Sequence, residues 1–173
     1  MNMDIERARY NMIEQQIRTW EVLDQAVLDL LYVVRREAFV PEAYRALAFS
    51  DLEIPLSASG DASEKMMFPK IEARIVQEVA PKLTDRVLEV GTGSGYMAAL
   101  LGARCKEVLS IEINPALGDV ARRNLARTGI ENVTVERGDG AQGWPRKGPY
   151  DVIVMTGSLP ILPQTLLEQL APN

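Results

Sequence analysis

The sequence contains no histidine and a single cysteine, Cys105, among 173 residues. Without imidazole, no catalytic triad that depends on it and no histidine-based metal site can be built. One cysteine excludes an internal disulfide and any cysteine-cluster metal site, so no bound metal is expected. No stretch approaches the roughly 20 apolar residues of a membrane helix. The start, MNMDIERARYNM, is too polar for a secretory signal. A cytoplasmic location and no membrane partner are therefore expected. A net charge of −5 argues against a nucleic-acid partner, whose phosphates demand a basic face. Arg122, Arg123 and Arg127 gather on one predicted helix, where they read as a solvated outer face.

What is present is enough apolar material for a core: 47% of residues are hydrophobic and 25% charged, which suits one globular domain. Residues 1–80 read as a helical region. Ile5, Ala8, Met12, Ile13 and Ile17 recur at helical spacing, as do Leu23, Val27, Leu30, Leu31 and Val34. Thr19-Trp20 separates these two helices, and Asp24 is an N-cap candidate. Pro41 opens a short helix through Tyr44 and Leu47; EIPLS at 53–57 is extended, and a polar loop, SASGDASEK, follows. A helix from Pro69 to Ala80 carries Ile71, Ile75 and Val79 on one face.

From residue 81 the texture changes. Strand-like runs (RVLEV, EVLSIEI, NVTVE, YDVIVMT) alternate with helical patterns over 95–104, 115–127 and 163–170. Such alternation predicts an α/β fold, doubly wound, with a mostly parallel Rossmann-like sheet. Asn114-Pro115 starts the second of these helices and Gly129 stops it.

In such sheets ligands bind beyond the carboxyl ends of the strands. VLEVGTGSGY, residues 87–96, places three glycines there, where backbone can approach a ligand without a Cβ in the way. The dinucleotide fingerprint G-x-G-x-x-G would need glycine at Tyr96; the spacing here is G-x-G-x-G, with Glu89 before it. Glu112 ends the second strand, where a carboxylate can accept both ribose hydroxyls. Asp139, in GDG after the third, can accept from an adenine amino group. Three adjacent strand ends of this kind make a nucleoside cradle, and S-adenosylmethionine fits it better than a dinucleotide.

These motifs give the chain a family likeness. NMIEQQIR, REAFVPEAYR, EIPL, VLEVGTGSGY, SIEIN and GDGAQGWPRKGPYDVI together resemble the protein-L-isoaspartate O-methyltransferases, S-adenosylmethionine-dependent enzymes with a Rossmann-like core. The resemblance implies carboxyl methylation of isoaspartyl residues, a repair reaction, with a peptide or protein carrying isoaspartate as substrate. It implies that Glu89, Gly91, Thr92, Gly93, Ser94 and Gly95 surround the methionine end of the cofactor. It further implies Glu112 at the ribose, Asp139 and Gly140 at the adenine, and Thr156 with Gly157 near the methyl.

Two departures follow. The family's Thr-Ile-Ser-Gln-Pro segment reads Lys65-Met66-Met67-Phe68-Pro69 here, so both hydroxyls are replaced. Met66, Met67 and Phe68 read equally as core filling under the loop. The nearby hydroxyls are Ser57, Ser59 and Ser63, and no catalytic residue is named. A related methyltransferase with another acceptor, such as a small molecule, and a non-catalytic cofactor-binding protein stay open as alternatives. The second departure is length. DVIVM reads as a strand flanked on both sides. In the order 3-2-1-4-5 a fifth strand, beyond residue 173, is expected beside it.

Overall fold

The computed structural model describes residues 4–57 and 64–172. It divides into two compact units, residues 1–80 and 81–173. No helix among the described residues is long and apolar enough to cross a membrane.

In the first unit, α1 (Ile5–Asn11) starts at Asp4, whose carboxylate accepts from the Arg7 amide. It runs on without a break as a π-helical segment, Met12–Ile17, and a 3-10 turn, Arg18–Trp20. Glu21, at φ 60, ends the run, just past the break that Thr19-Trp20 had suggested. The N-cap reading of Asp24 holds: it accepts from the Ala26 amide and opens α2 (Gln25–Val33). The segment after Pro41 forms a 3-10 turn, Glu42–Leu47, and not an α-helix. Two short antiparallel strands, β1 (Ile54–Pro55) and β2 (Lys65–Met66), pair across the polar loop. β2 carries no periodicity of its own and was invisible in the sequence. Helix α3 (Pro69–Val79) closes the unit, with Pro69 at its first turn.

A buried arginine joins these pieces. Arg36, 1% exposed, donates through Nε to Ala48 O (3.0 Å) and through a terminal nitrogen to Met67 O (2.8 Å). Its other terminal nitrogen pairs with Glu72 of α3. Burial pushes the Glu72 carboxyl up to about 7, even with the guanidinium beside it.

The second unit is a four-stranded sheet. β3 (Arg86–Val90), β4 (Glu107–Glu112), β5 (Val133–Arg137) and β6 (Val152–Met155) lie in the order β5-β4-β3-β6, every pair parallel. Helix α4 (Tyr96–Gly102) is apolar all round and buried throughout; α5 (Pro115–Arg127) is amphipathic, with Leu117, Ala121 and Leu125 inward. The α5 boundaries match the sequence expectation, because Asn114 caps the Ala116 amide and Gly129 turns at φ +72.

α4 and α5 cover one face of the sheet. The other face holds Leu88, Val90, Leu109, Ile111 and Tyr150, with Trp144, Ile153 and Met155 packed on them. The predicted helix over 163–170 shrinks to α6 (Gln164–Leu167), after which Leu170 makes a parallel bridge with Tyr150. Backbone bonds from Tyr150 N to Gln169 O and from Ala171 N to Tyr150 O replace that helix's last turn. β6 is half-buried along most of its length, whereas its apolar run had suggested burial on both faces. β3 is its strand neighbour among the described residues.

Candidate functional site

The carboxyl ends of β3, β4 and β6 meet at the glycine turn. The β3 chain leaves the sheet at Gly91, whose amide donates to Ile111 O of β4 at 2.9 Å. Its φ is +106, and a Cβ there would sit 2.7 Å from the Gly157 amide nitrogen and 2.8 Å from Thr156 Oγ1. Only glycine fits that conformation and that gap. Thr156 Oγ1 lies 2.6 Å from Gly91 O and 2.9 Å from Val90 O, so its proton ties the β6 end to the turn.

Glu112 organises the turn from the second strand. It is 6% exposed; its two carboxylate oxygens accept from the Gly93 amide (2.8 Å) and the Asn114 amide (2.9 Å). One side chain thus fixes the glycine turn and the start of α5 together. Each carboxylate oxygen keeps lone-pair capacity for a further donor.

On the third strand end, Asp139 is exposed, and its Oδ1 accepts from the Ala141 amide at 2.9 Å. Gly140 is buried, and a Cβ there would meet Val90 Cγ1 at 2.6 Å. Gly138 lies against the Trp144 ring, 2.3 Å from where a Cβ would be.

These groups enclose an open cavity of about 170 Å³. Gly91, Glu112, Asp139 and Gly140, all expected at the site, line it, and so does Gly157. Ile113, Met155 and Leu159 add an apolar wall. Below the roughly 300–1,000 Å³ of a pocket that engulfs a whole drug-sized ligand, it holds part of one and leaves the rest outside. A larger cavity of about 200 Å³ lies at the other end of the sheet, around Arg86, Glu107 and Lys147. Its charges are already engaged: Arg86 pairs with Glu107 and Lys147 with Glu136. The smaller cavity, at the strand ends where this topology binds ligands, is the stronger candidate.

The remaining expected residues support the turn without lining the cavity. Glu89 is fully buried; Thr92 Oγ1 donates to Ser110 Oγ and Ser110 Oγ to Glu89 Oε2, both at 2.5 Å. Ser94 Oγ accepts from the Tyr96 amide, and the Ser94 carbonyl accepts from Asn124 of α5. Gly95 sits 3.3 Å from Ala121 at its would-be Cβ, so its lack of a side chain lets α5 close on the turn. Ser110 was missed in the sequence, although a polar residue inside VLSIEI was a signal for it. Ile113 was missed too; the residue is 66% exposed and lines the cavity, which no local pattern announces.

In the first unit, Met66 is buried and Met67 half-buried, as core filling requires. Lys65 pairs with Glu53. Ser57 lies at the end of the described segment, while Ser59 and Ser63 fall outside the described residues.

Comparison with known proteins gives one consistent likeness. The family model for protein-L-isoaspartate(D-aspartate) O-methyltransferase matches residues 7–173. A protein named protein-L-isoaspartate O-methyltransferase from Methanoculleus marisnigri is 41% identical over 95% of this chain and 73% of its own. One from Rhodopseudomonas palustris, strain HaA2, is 44% identical over 94% of this chain and 65% of its own. A solved protein-L-isoaspartate O-methyltransferase superposes with TM-score 0.78 at 28% identity, over 96% of this chain and about half, 52%, of that one. The fold alone is shared with a Plasmodium falciparum structure, described as a putative member in complex with S-adenosyl-L-homocysteine. There the TM-score is 0.74 at 21% identity, over 95% of this chain and 80% of that one.

Proposed function

Because this chain belongs to the protein-L-isoaspartate(D-aspartate) O-methyltransferase family, we propose that it binds S-adenosylmethionine and methylates the free carboxylate of isoaspartyl residues in peptides or proteins. The observation that carries this reading is the convergence of Gly91, Glu112 and Asp139, from three neighbouring strands, on one cavity. Gly91 and Gly140 each occupy a position where a Cβ would collide, so the backbone is drawn in close around that space. The donor set matches a nucleoside: carboxylates for ribose hydroxyls and for a base amino group, with no phosphate to neutralise.

The bound cofactor supplies a methyl group on a positively charged sulfur, open to attack by a nucleophile in line with the breaking bond. The chain supplies placement. Glu112 would accept from the ribose hydroxyls while holding Gly93, so that sugar and turn would share one anchor. Asp139, whose Oδ1 accepts from the Ala141 amide, would receive the base amino group on its carboxylate. The Gly91 turn, with Thr156 bonded across it, would face the methionine part. Alignment of the reacting atoms to within about 3–3.5 Å supplies most of the acceleration in such a displacement. The acceptor carboxylate, with a reference pKa of about 3.9, is already ionised at neutral pH and needs no general base. A chain without histidine can therefore perform this reaction. A cytoplasmic setting is part of this reading, and a single cysteine held buried as the free thiol suits a reducing compartment.

The direct test is methyl transfer from radiolabelled S-adenosylmethionine to isoaspartyl peptides, against the same peptides with normal aspartate. Base-labile methyl ester on the isoaspartyl peptide alone supports the reading. Transfer to neither peptide, by protein shown calorimetrically to bind the cofactor, would overturn it.

A further inference from the structure

The turn from Gly138 to Trp144 carries Asp139 and Gly140, yet it lies on the sheet face that α4 and α5 do not cover. Its fixing points come from elsewhere in the chain. Gln169, just past α6 and 8% exposed, reaches the turn with its side-chain amide. Oε1 accepts from the Trp144 amide at 2.7 Å, and Nε2 donates to Gln142 O at 2.8 Å and to Thr165 O at 2.6 Å. Donor and acceptor of one amide thus pair with acceptor and donor of the turn, a match that also fixes which way the amide points.

Gly143 shows how close that approach is. At φ +78, a Cβ on it would lie 2.4 Å from both the amide nitrogen and the amide oxygen of Gln169. Trp144 is then held on two further sides: its carbonyl accepts from Tyr150 Oη at 2.7 Å, and its indole donates to Glu136 at 2.8 Å. The indole ring in turn packs on Gly138, the residue before Asp139. An uninterrupted path of contacts therefore runs from the Gln169 amide through Trp144 to the aspartate at the cavity rim.

We propose that Gln169 is a positioning residue for the base of the bound nucleoside, bracing the Gly138–Trp144 turn so that Asp139 presents its carboxylate to the base amino group. The inference rests on the cofactor reading above. Gln169 does not line the cavity, so it acts only through the turn. Without the amide, the Trp144 N–H and the Gln142 carbonyl lose their partners and turn to water, and the aspartate loses its fixed aim.

The test compares calorimetric binding of S-adenosylhomocysteine with that of S-inosylhomocysteine, which carries an oxo group in place of the base amino group. Wild type should favour the adenine ligand by about tenfold or more, the worth of one hydrogen bond to a charged acceptor. In Gln169→Glu, assayed at alkaline pH so that the carboxyl is ionised, the side chain can still accept from Trp144 but cannot donate to Gln142 or Thr165. The preference should fall to less than about threefold, while S-inosylhomocysteine binding changes little. Gln169→Met, close in volume and lacking both polar atoms, takes its place if the glutamate variant does not fold. A variant that weakens both ligands alike, keeping the wild-type preference, would show a purely structural residue and overturn the proposal. So would unchanged binding of both. If wild type binds neither ligand, the cofactor reading itself fails and the proposal falls with it.

Discussion

Glu112 offers the sharpest quantitative test of the site, because one carboxylate has structural and ligand-binding duties that separate under mutation. In the structure both of its oxygens are engaged by backbone amides, Gly93 at 2.8 Å and Asn114 at 2.9 Å. Glu112→Ala takes the carboxylate acceptor away from both amides in a largely buried place. Hydrogen bonds to a charged group are worth about 1.5–3 kcal/mol each, but partial access of water returns some of that. A net stability loss of about 2 kcal/mol is expected, or roughly 4–8 °C in melting temperature for a chain of this size. Ligand affinity should fall separately, by about ten- to a hundredfold, as the ribose hydroxyls lose their acceptor. Glu112→Gln separates the two effects. The amide keeps one acceptor, so one backbone N–H stays paired, but its NH2 must face the other backbone N–H, donor against donor. The glutamine variant should therefore be no more stable than the alanine variant despite its near-identical shape to glutamate. The measurements are calorimetry with S-adenosylhomocysteine and thermal unfolding by circular dichroism. Wild-type affinity in Glu112→Ala would remove this residue from the site. A glutamine variant as stable as wild type would refute the dual-acceptor argument.

Three further outcomes are expected. Gly91→Ala, forced to φ +106 with its Cβ 2.7 Å from a backbone nitrogen, should destabilise the protein by about 2 kcal/mol or more and abolish detectable cofactor binding by calorimetry. Stability should fall as pH rises from 5 to 8. The folded Glu72 carboxyl keeps its proton to about pH 7 against 4.5 for the free group, so the folded state binds more protons in that window. Chemical denaturation should show the loss, and Glu72→Gln should flatten the profile; an unchanged slope in that variant assigns the pH dependence to other groups. Finally, Lys65→Thr with Met67→Ser restores the hydroxyls that the family resemblance implies, and leaves Met66 in the core and the Met67 carbonyl on Arg36. Release of methanol from isoaspartyl peptide esters should rise by about a hundredfold, and an equal rate would make the loop substitution irrelevant to the acceptor.

By itself the sequence determined the α/β class, the parallel order of the core strands and the residue ranges of its best-signalled elements. Asn114-Pro115 and Gly129 bounded α5 because capping is a local property of three or four residues. It also pointed to Gly91, Glu112 and Asp139, since strand ends in a parallel sheet converge on one edge. Tertiary structure decided what each of these residues does there. The short strand β2 exists only because β1 lies across from it. The helix expected over 163–170 yielded its last turn to a bridge with Tyr150, a pairing that local periodicity does not encode. Glu89 and Glu112 look alike in sequence, each an acid at or near a strand end. Strand alternation puts both side chains on the face beneath the helices, but Glu89 stops inside it against Ser110, while Glu112 reaches the cavity. Two partners of Gln169, Trp144 and Gln142, lie 25 and 27 residues back along the chain. Hydrogen bonds over such separations are set by how the sheet and its loops pack, and no short window of sequence contains them.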